Sequence, residues 1–244
     1  MDLIKENKLR YLAGKTGFNI IFLEKDYMLT VLLYLIKDIK GLYFKGGTAL
    51  NKIFLKHARL SEDLDFSADE NISELKKQIE NIVKENGNVF TKIKTENETS
   101  DFVRYKIFYK SYFENTSYII LDINKKASVL LNSEKYKVPN FYGLKFEIAA
   151  LNIKEIIAEK MRAIITRNKP RDYFDLYFIL KKYDIDISLV KKKVAEANEI
   201  FDVERIFKNA NKIYSKWDSD ISKLTNKKLE FLTCIKFLKK RVNM

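Results

Sequence analysis

A chain of 244 residues that is 46% hydrophobic buries one substantial core or two small ones, and with only 7 Gly and 2 Pro it contains no stretch that reads as a flexible linker or disordered tail. Its single cysteine, Cys234, excludes an intramolecular disulfide and any cysteine-cluster zinc site, and fits a reducing compartment. The formal charge of +13, about half of it within 181–244, suits a polyanionic partner such as RNA, DNA or nucleotides, and equally suits a Lys-rich solvated helix surface.

The N-terminal stretch 1–18 lacks the apolar run and small-residue cleavage site of a secretory signal. The longest apolar run, 27–36, is far short of the ~20 residues that cross a bilayer. A cytoplasmic protein with no membrane partner is expected. Over 24–37, Met28, Val31, Leu32 and Leu35 recur at helical spacing, with Asp26 near the start where an acid suits the helix dipole. Leu42, Tyr43 and Phe44 then form a short strand closed by Gly46 and Gly47, and a helical pattern resumes over 48–56 through Leu50, Ile53 and Phe54. Leu60 and the run 64–66 flank a second strand, followed by an amphipathic helix over 73–85 that ends at Gly87.

The stretches 102–109 and 118–124 are rich in β-branched and aromatic residues and read as sheet strands. Tyr105, Phe108, Tyr109, Tyr112 and Phe113 are assigned to sheet core rather than to base stacking. Beyond 144 the character becomes helical. Asn152 with Glu155 makes a capping pair for a helix running to about 167, and Pro170 opens another to about 182. The segments 186–197, 202–216 and 227–241 are helix-like with basic faces. The fold class expected is α+β: an α/β core over 1–143 followed by a helical C-terminal domain over 144–244 that completes the cleft.

On a strand, residues two apart face one side, so Asp63 and Asp65 project together while Leu64 and Phe66 turn to the core. Two carboxylates so close repel, and keeping both ionised calls for a cation. With no His or Cys nearby, hard oxygen ligands select Mg²⁺ or Mn²⁺ over zinc. Phosphoryl transfer is the chemistry that most needs such a site. Gly46 and Gly47 would let backbone amides approach a triphosphate, with Thr48 and Ser61 adding hydroxyls. Asp122 shares a strand face with Ile120 and Asn124; it is either a third metal carboxylate or an acid at a strand end facing solvent. Lys160 and Arg167, seven apart, put two cations on one helix face, and Asp172 and Asp175 share a face of the next helix. That reads as a phosphate-binding face with its own acidic partners. Arg162, Arg171 and Glu159 are assigned to interhelix ion pairs, Asp175 with Arg162 or Arg171 being the example. His57, the sole histidine, reads as a surface or cap residue and Cys234 as core.

Together, Lys45-Gly46-Gly47-Thr48-x-Leu50, Arg59-x-Ser61-x-Asp63-x-Asp65-Phe66, Glu159-Lys160 and Arg171-Asp172-x-x-Asp175-Leu176 resemble the AbiEii toxin family of nucleotidyltransferases, the MenT-like toxins among them, over roughly residues 20–180. The resemblance implies a polymerase-β-like core, a mixed sheet with flanking helices, followed by a helical C-terminal region. It implies the toxin of a toxin-antitoxin or phage-defence system that transfers NMP from an NTP to an acceptor, RNA and its tRNA 3′ end in some relatives. By similarity, Ser61 and Asp63 would sit at the transfer centre, Asp65 would share the metal, Lys160 would hold the triphosphate and Asp172 would support it. Lys45, Gly46, Gly47, Thr48 and Arg167 would contact the nucleotide, and Asp63, Asp65 and Asp122 the metal. The interval from Gly47 to Asp63 is longer than in the wider superfamily, although it suits this family. The basic C-terminal helices remain to grip an RNA acceptor or a cognate antitoxin. Two alternatives stay open: the same fold acting on a protein or small molecule, and a non-catalytic RNA-binding module.

Overall fold

Seven strands make one mixed sheet in the computed structural model, which describes residues 3–125, 128–208 and 210–242. They are β1 Leu42–Lys45, β2 Asp63–Ala68, β3 Phe90–Thr99, β4 Phe102–Tyr109, β5 Ser117–Asn124, β6 Glu134–Lys137 and β7 Glu147–Ala150, in the order β3-β4-β5-β2-β1-β7-β6. The pairs β2–β5 and β1–β7 are parallel and the other neighbours antiparallel. A parallel pair needs a crossover. Between β2 and β5 the chain supplies helix α4, Ile72–Glu85 in full sequence order, and the β3–β4 hairpin.

The other helices are α1 Glu6–Thr16, α2 Ile20–Ile36, α3 Gly46–Ala49, α5 Ile153–Arg167, α6 Pro170–Ile179, α7 Ile187–Ala195, α8 Val203–Phe207, α9 Ala210–Tyr214, α10 Trp217–Ile221 and α11 Phe231–Val242. Strands β4 and β5 bury alternate residues, Val103, Tyr105, Ile107 and Tyr109 facing the same side as Ile119, Leu121 and Ile123. Helices α2 and α4 pack beside this half of the sheet. Helix α2 is buried on nearly every side, which explains its almost continuous apolar run. Side chains from all the layers join one hydrophobic core.

The expected strands at 102–109 and 118–124 and the helix at 73–85 correspond to β4, β5 and α4. Other expectations need correction. Helix α2 starts at Ile20 rather than 24, because Asn19 accepts the amides of Ile21 and Phe22 as its cap. Helix α1 and strands β3, β6 and β7 were not read from the sequence. Strand β3 is almost wholly exposed and β6 mostly so, leaving no apolar alternation to detect. The boundary expected at 143 falls between β6 and β7, which pair within the same sheet. The continuous helix expected over 202–216 is broken into α8 and α9, with position 209 outside the described residues. Positions 1 and 2 of the N-terminal stretch lie outside them as well.

Asn152 caps α5 by accepting the amide of Lys154, but Glu155 does not complete a capping box. Fully buried, it accepts the amides of Leu130 and Leu131 and pairs with Lys193 at 2.7 Å. His57 is buried rather than at the surface, packed against Phe141 beside Asp26. Tyr105 and Tyr109 are sheet core as expected, whereas Tyr112 is 45% exposed, since it lies beyond the end of β4. Among the described residues no helix is long and apolar enough to cross a membrane.

Candidate active site

The sheet register assembles a charged row across four strands. Lys45 on β1 lies opposite Asp65 on β2, Asp65 opposite Asp122 on β5, and Asp122 opposite Arg104 on β4. Residues paired across neighbouring strands share a face, so the row reads cation, acid, acid, cation. Asp63 joins that face from two positions earlier on β2. Leu64 and Phe66 alternate with the acids and are fully buried below.

Burial first, then the charges of Asp63 and Asp122, push the Asp65 carboxyl up to about 7, against the opposite pull of Lys45 and Lys160. A cation at this point would relieve the crowding, and an all-oxygen donor set fits Mg²⁺ or Mn²⁺. The set is not a closed cage. Among the described residues no three His, Cys, Asp or Glu side chains stand close enough to hold an ion together. Asp122 instead accepts a forked pair of bonds from Arg104 at 2.8 and 2.6 Å.

The glycine turn is needed because charged side chains lie against its backbone. Gly46 has φ 73°, and a Cβ there would stand 2.2 Å from Asp65 Oδ2. A Cβ on Gly47 would stand 2.7 Å from Arg59 Nη2. Thr48, expected to offer its hydroxyl to a triphosphate, is fully buried, and its hydroxyl donates to the Asp63 carbonyl, fastening the turn to β2. Helix α3 runs on from the turn as a π-helical segment, Leu50–Phe54, whose Asn51 reaches back to the Gly47 carbonyl at 3.0 Å.

Beneath the turn lies a ladder of charges, buried except for its last member, Arg167. Arg59 forks onto Asp175 at 2.8 and 2.7 Å and donates from Nη1 to the Leu60 carbonyl and to Ser61 Oγ at 3.2 Å. Lys160 bridges Asp175 and Asp172 at 3.0 Å each. Arg167, about two turns further along α5 on the same face, forks onto Asp172 at 2.9 Å through both nitrogens. Burial alone would raise the carboxyl of Asp172, but Lys160 and Arg167 outweigh it and hold the group well below the usual range. Burial is outweighed in the same way at Asp175, by Arg59 and Lys160. Lys45 adds a pair with Glu159 at 3.4 Å, and Glu159 in turn approaches Lys193 at 3.8 Å.

The expected ion pairs around Asp175 are therefore reassigned: Arg59 and Lys160 occupy it, Arg162 pairs with Glu196 at 3.5 Å, and Arg171 reaches Asp63 at 3.9 Å. Arg59 stood in the sequence motif without a role, though its two-residue spacing from Ser61 and Asp63 was visible. Arg104 and Lys193 carried no signal, since their partners are set by strand register and by a helix far along the chain.

A cavity of 270 Å³ has Lys45, Gly46, Gly47, Asp65 and Asp122 on its sheet side and Lys160 and Arg167 on its helix side. Thus seven of the expected site residues line one cavity; Asp63 stands two positions before Asp65 on β2, and Ser61, Thr48 and Asp172 are nearly or fully buried. A second cavity, of 520 Å³, shares Arg167 with the first and opens beside Glu62 and Arg171.

A family model described as nucleotidyl transferase AbiEii toxin, type IV toxin-antitoxin system, matches residues 31–235. Among solved structures, MenT4, a nucleotidyltransferase toxin from Mycobacterium tuberculosis H37Rv, superposes with a TM-score of 0.67 at 18% identity, covering 98% of this chain and 88% of its own. JHP933 from Helicobacter pylori gives 0.60 at 19% identity, with 93% and 95% covered. No curated protein sequence matches the chain.

Proposed function

Since this chain belongs to the AbiEii family of nucleotidyl transferase toxins of type IV toxin-antitoxin systems, we propose that it transfers NMP from an NTP to a hydroxyl of RNA, the tRNA 3′ end being the leading acceptor. The new bond joins the acceptor oxygen to the α-phosphorus, the α–β phosphoanhydride breaks, and pyrophosphate and a proton leave. The observation that carries this reading is the 270 Å³ cavity, with Asp65, Asp122 and the glycine turn on one wall and the Lys160–Arg167 face on the other.

Mg²⁺ or Mn²⁺ on Asp63 and Asp65 would supply charge neutralisation at the α-phosphate. The chain's own groups do the rest. Lys160 and Arg167 hold the phosphates, and Asp172 aims both cations by accepting from each. Lys45 stands beside Asp65 and is steadied by Glu159. The amides of Gly46 and Gly47 approach the triphosphate without a side chain between. Ser61 is fixed by Arg59 just behind Asp63. An antitoxin partner and a cytoplasmic setting accompany this role.

The test is incorporation of each labelled NTP into total RNA with Mg²⁺. Asp63→Ala should abolish labelling while the thermal unfolding profile stays native; unchanged labelling defeats the proposal. Label appearing in protein or in a small molecule instead of RNA would identify a different acceptor.

A further inference from the structure

The 520 Å³ cavity is larger than the one assigned to the nucleotide and differs from it in character. Its wall is formed by the loop between α5 and α6 and by the segment from α9 to just past α10. Lys212 on α9, Lys216 in the turn before α10, Ser219 on α10 and Lys223 just past its end all line it. Lys169, Arg167 and Arg171 close the opposite side, against two acids, Glu62 and Asp220. Arg167 and Arg171 are engaged with Asp172 and Asp63. Among the described residues no ion pair holds Lys169, Lys212, Lys216 or Lys223, and all four are exposed.

An unpaired cluster of lysines around a concavity recruits a polyanion. The composition also separates a nucleic acid from a protein partner. Protein interfaces deplete Lys at their centre and use apolar anchors, whereas here the lysines line the hollow itself and Leu224 is buried in the floor. Half-buried Phe22 offers one aromatic face at the edge, the combination of basic track and stacking platform that suits a single strand. A hollow of this size takes one or two nucleotides of a strand end, not the side of a duplex.

Position supplies the last element. Glu62 lines this cavity, Asp65 lines the smaller one, and Asp63 stands between them on β2 with Arg171 at 3.9 Å. A strand end bound here would lie beside Asp63, through Arg171, and next to the nucleotide cavity, which shares Arg167 with this one. We propose that this cavity is the acceptor groove, with Lys212, Lys216 and Lys223 holding successive phosphodiesters of a single-stranded RNA end. The assignment rests on the transferase reading above and refines it.

The test is binding of a fluorescent single-stranded RNA oligonucleotide to the full chain without NTP, so that no turnover is required. K216E/K223E should weaken binding at least tenfold and reduce the slope of log K against log salt by about 1.4, roughly 0.7 for each lost phosphate contact. K191E/K192E, on the exposed face of α7, should leave binding near wild type, and NTP with Mg²⁺ should stabilise both variants thermally as it does the wild type. Equal binding by K216E/K223E, or equal loss in both pairs, overturns the groove. Failure of the transferase reading shows separately, as labelling that survives Asp63→Ala.

Discussion

Replacing Asp175 by Asn tests whether the buried ladder, rather than the apolar core alone, holds the two halves of the site together. The carboxylate is fully buried and accepts from Arg59 twice, from Lys160 and from Asn51, all between 2.7 and 3.0 Å. An amide of the same shape removes the charge and leaves the Arg59 guanidinium, 3% exposed, with no acid of its own. Breaking one side of such a pair costs about 3–5 kcal/mol, because the surviving charge stays desolvated. At this chain length each kcal/mol lowers Tm by about 2–4 °C, so the variant should melt about 6–20 °C below wild type. Urea unfolding at pH 7 should give the same loss from the midpoint shift with the slope unchanged. The double variant Arg59→Leu/Asp175→Leu should recover a large part of the loss, since it removes the orphan charge along with its partner. A single-variant cost below about 1 kcal/mol, or a double variant as poor as the sum of its singles, would refute this account of the ladder.

Three further outcomes follow from the geometry. Gly46→Ala combines a positive φ with a Cβ 2.2 Å from Asp65 Oδ2, so it should displace Asp65 and lower NTP incorporation at least tenfold at saturating Mg²⁺, at a stability cost of about 1–3 kcal/mol; wild-type turnover would show the turn to be tolerant. Arg104→Ala should free Asp122 and remove a cation from the acid row, lowering the Mg²⁺ concentration for half-maximal labelling several-fold; a rise instead would mean that Arg104 supports the site. Burial, only partly offset by Asp26, pushes His57 down from 6.5 to about 4. The folded chain stays neutral there while the unfolded chain protonates, so this contribution is complete above pH 6.5 and is lost as pH falls toward 4, about 3 kcal/mol in all. The urea midpoint of wild type should therefore fall relative to that of His57→Phe as pH drops through that window, and parallel curves would contradict the burial argument.

The elements legible in the sequence were those whose own periodicity matches their burial. Strands β4 and β5 alternate strictly because one face meets α2 and α4, and α5 and α6 announce themselves through Asn152 and Pro170. Strand β3 is invisible for the opposite reason: its pairing with β4 stabilises it, not its own side chains, which face water. The acid pair was legible because a two-residue spacing needs no tertiary knowledge. Lys160 and Arg167 were legible as one helix face, and Asp172 with Asp175 as another, yet who pairs with whom was not. Arg59 reaches Asp175 across 116 positions of chain, a choice made by packing α6 beneath the turn. Asp122 shows the same limit, since register places it beside Asp65 but equally beside Arg104.

The two glycines stand between the two charge systems. On one side Asp65 lies against Gly46; on the other Arg59 and Lys160 lie against Gly47. The ladder of Arg59, Lys160 and Arg167 exceeds its acids Asp172 and Asp175 by one positive charge, while the sheet row crowds Asp63, Asp65 and Asp122 together and makes ionisation of Asp65 costly. Each half thus keeps a charge over: the ladder is positive by one, and the row, with three acids against Lys45 and Arg104, is negative by one. A lone phosphate group would answer the ladder and worsen the acid row; a lone divalent cation would do the reverse. On the transferase reading, a metal-bound triphosphate would bring both signs to one place, and the lack of side chains at 46 and 47 leaves the backbone there open to it.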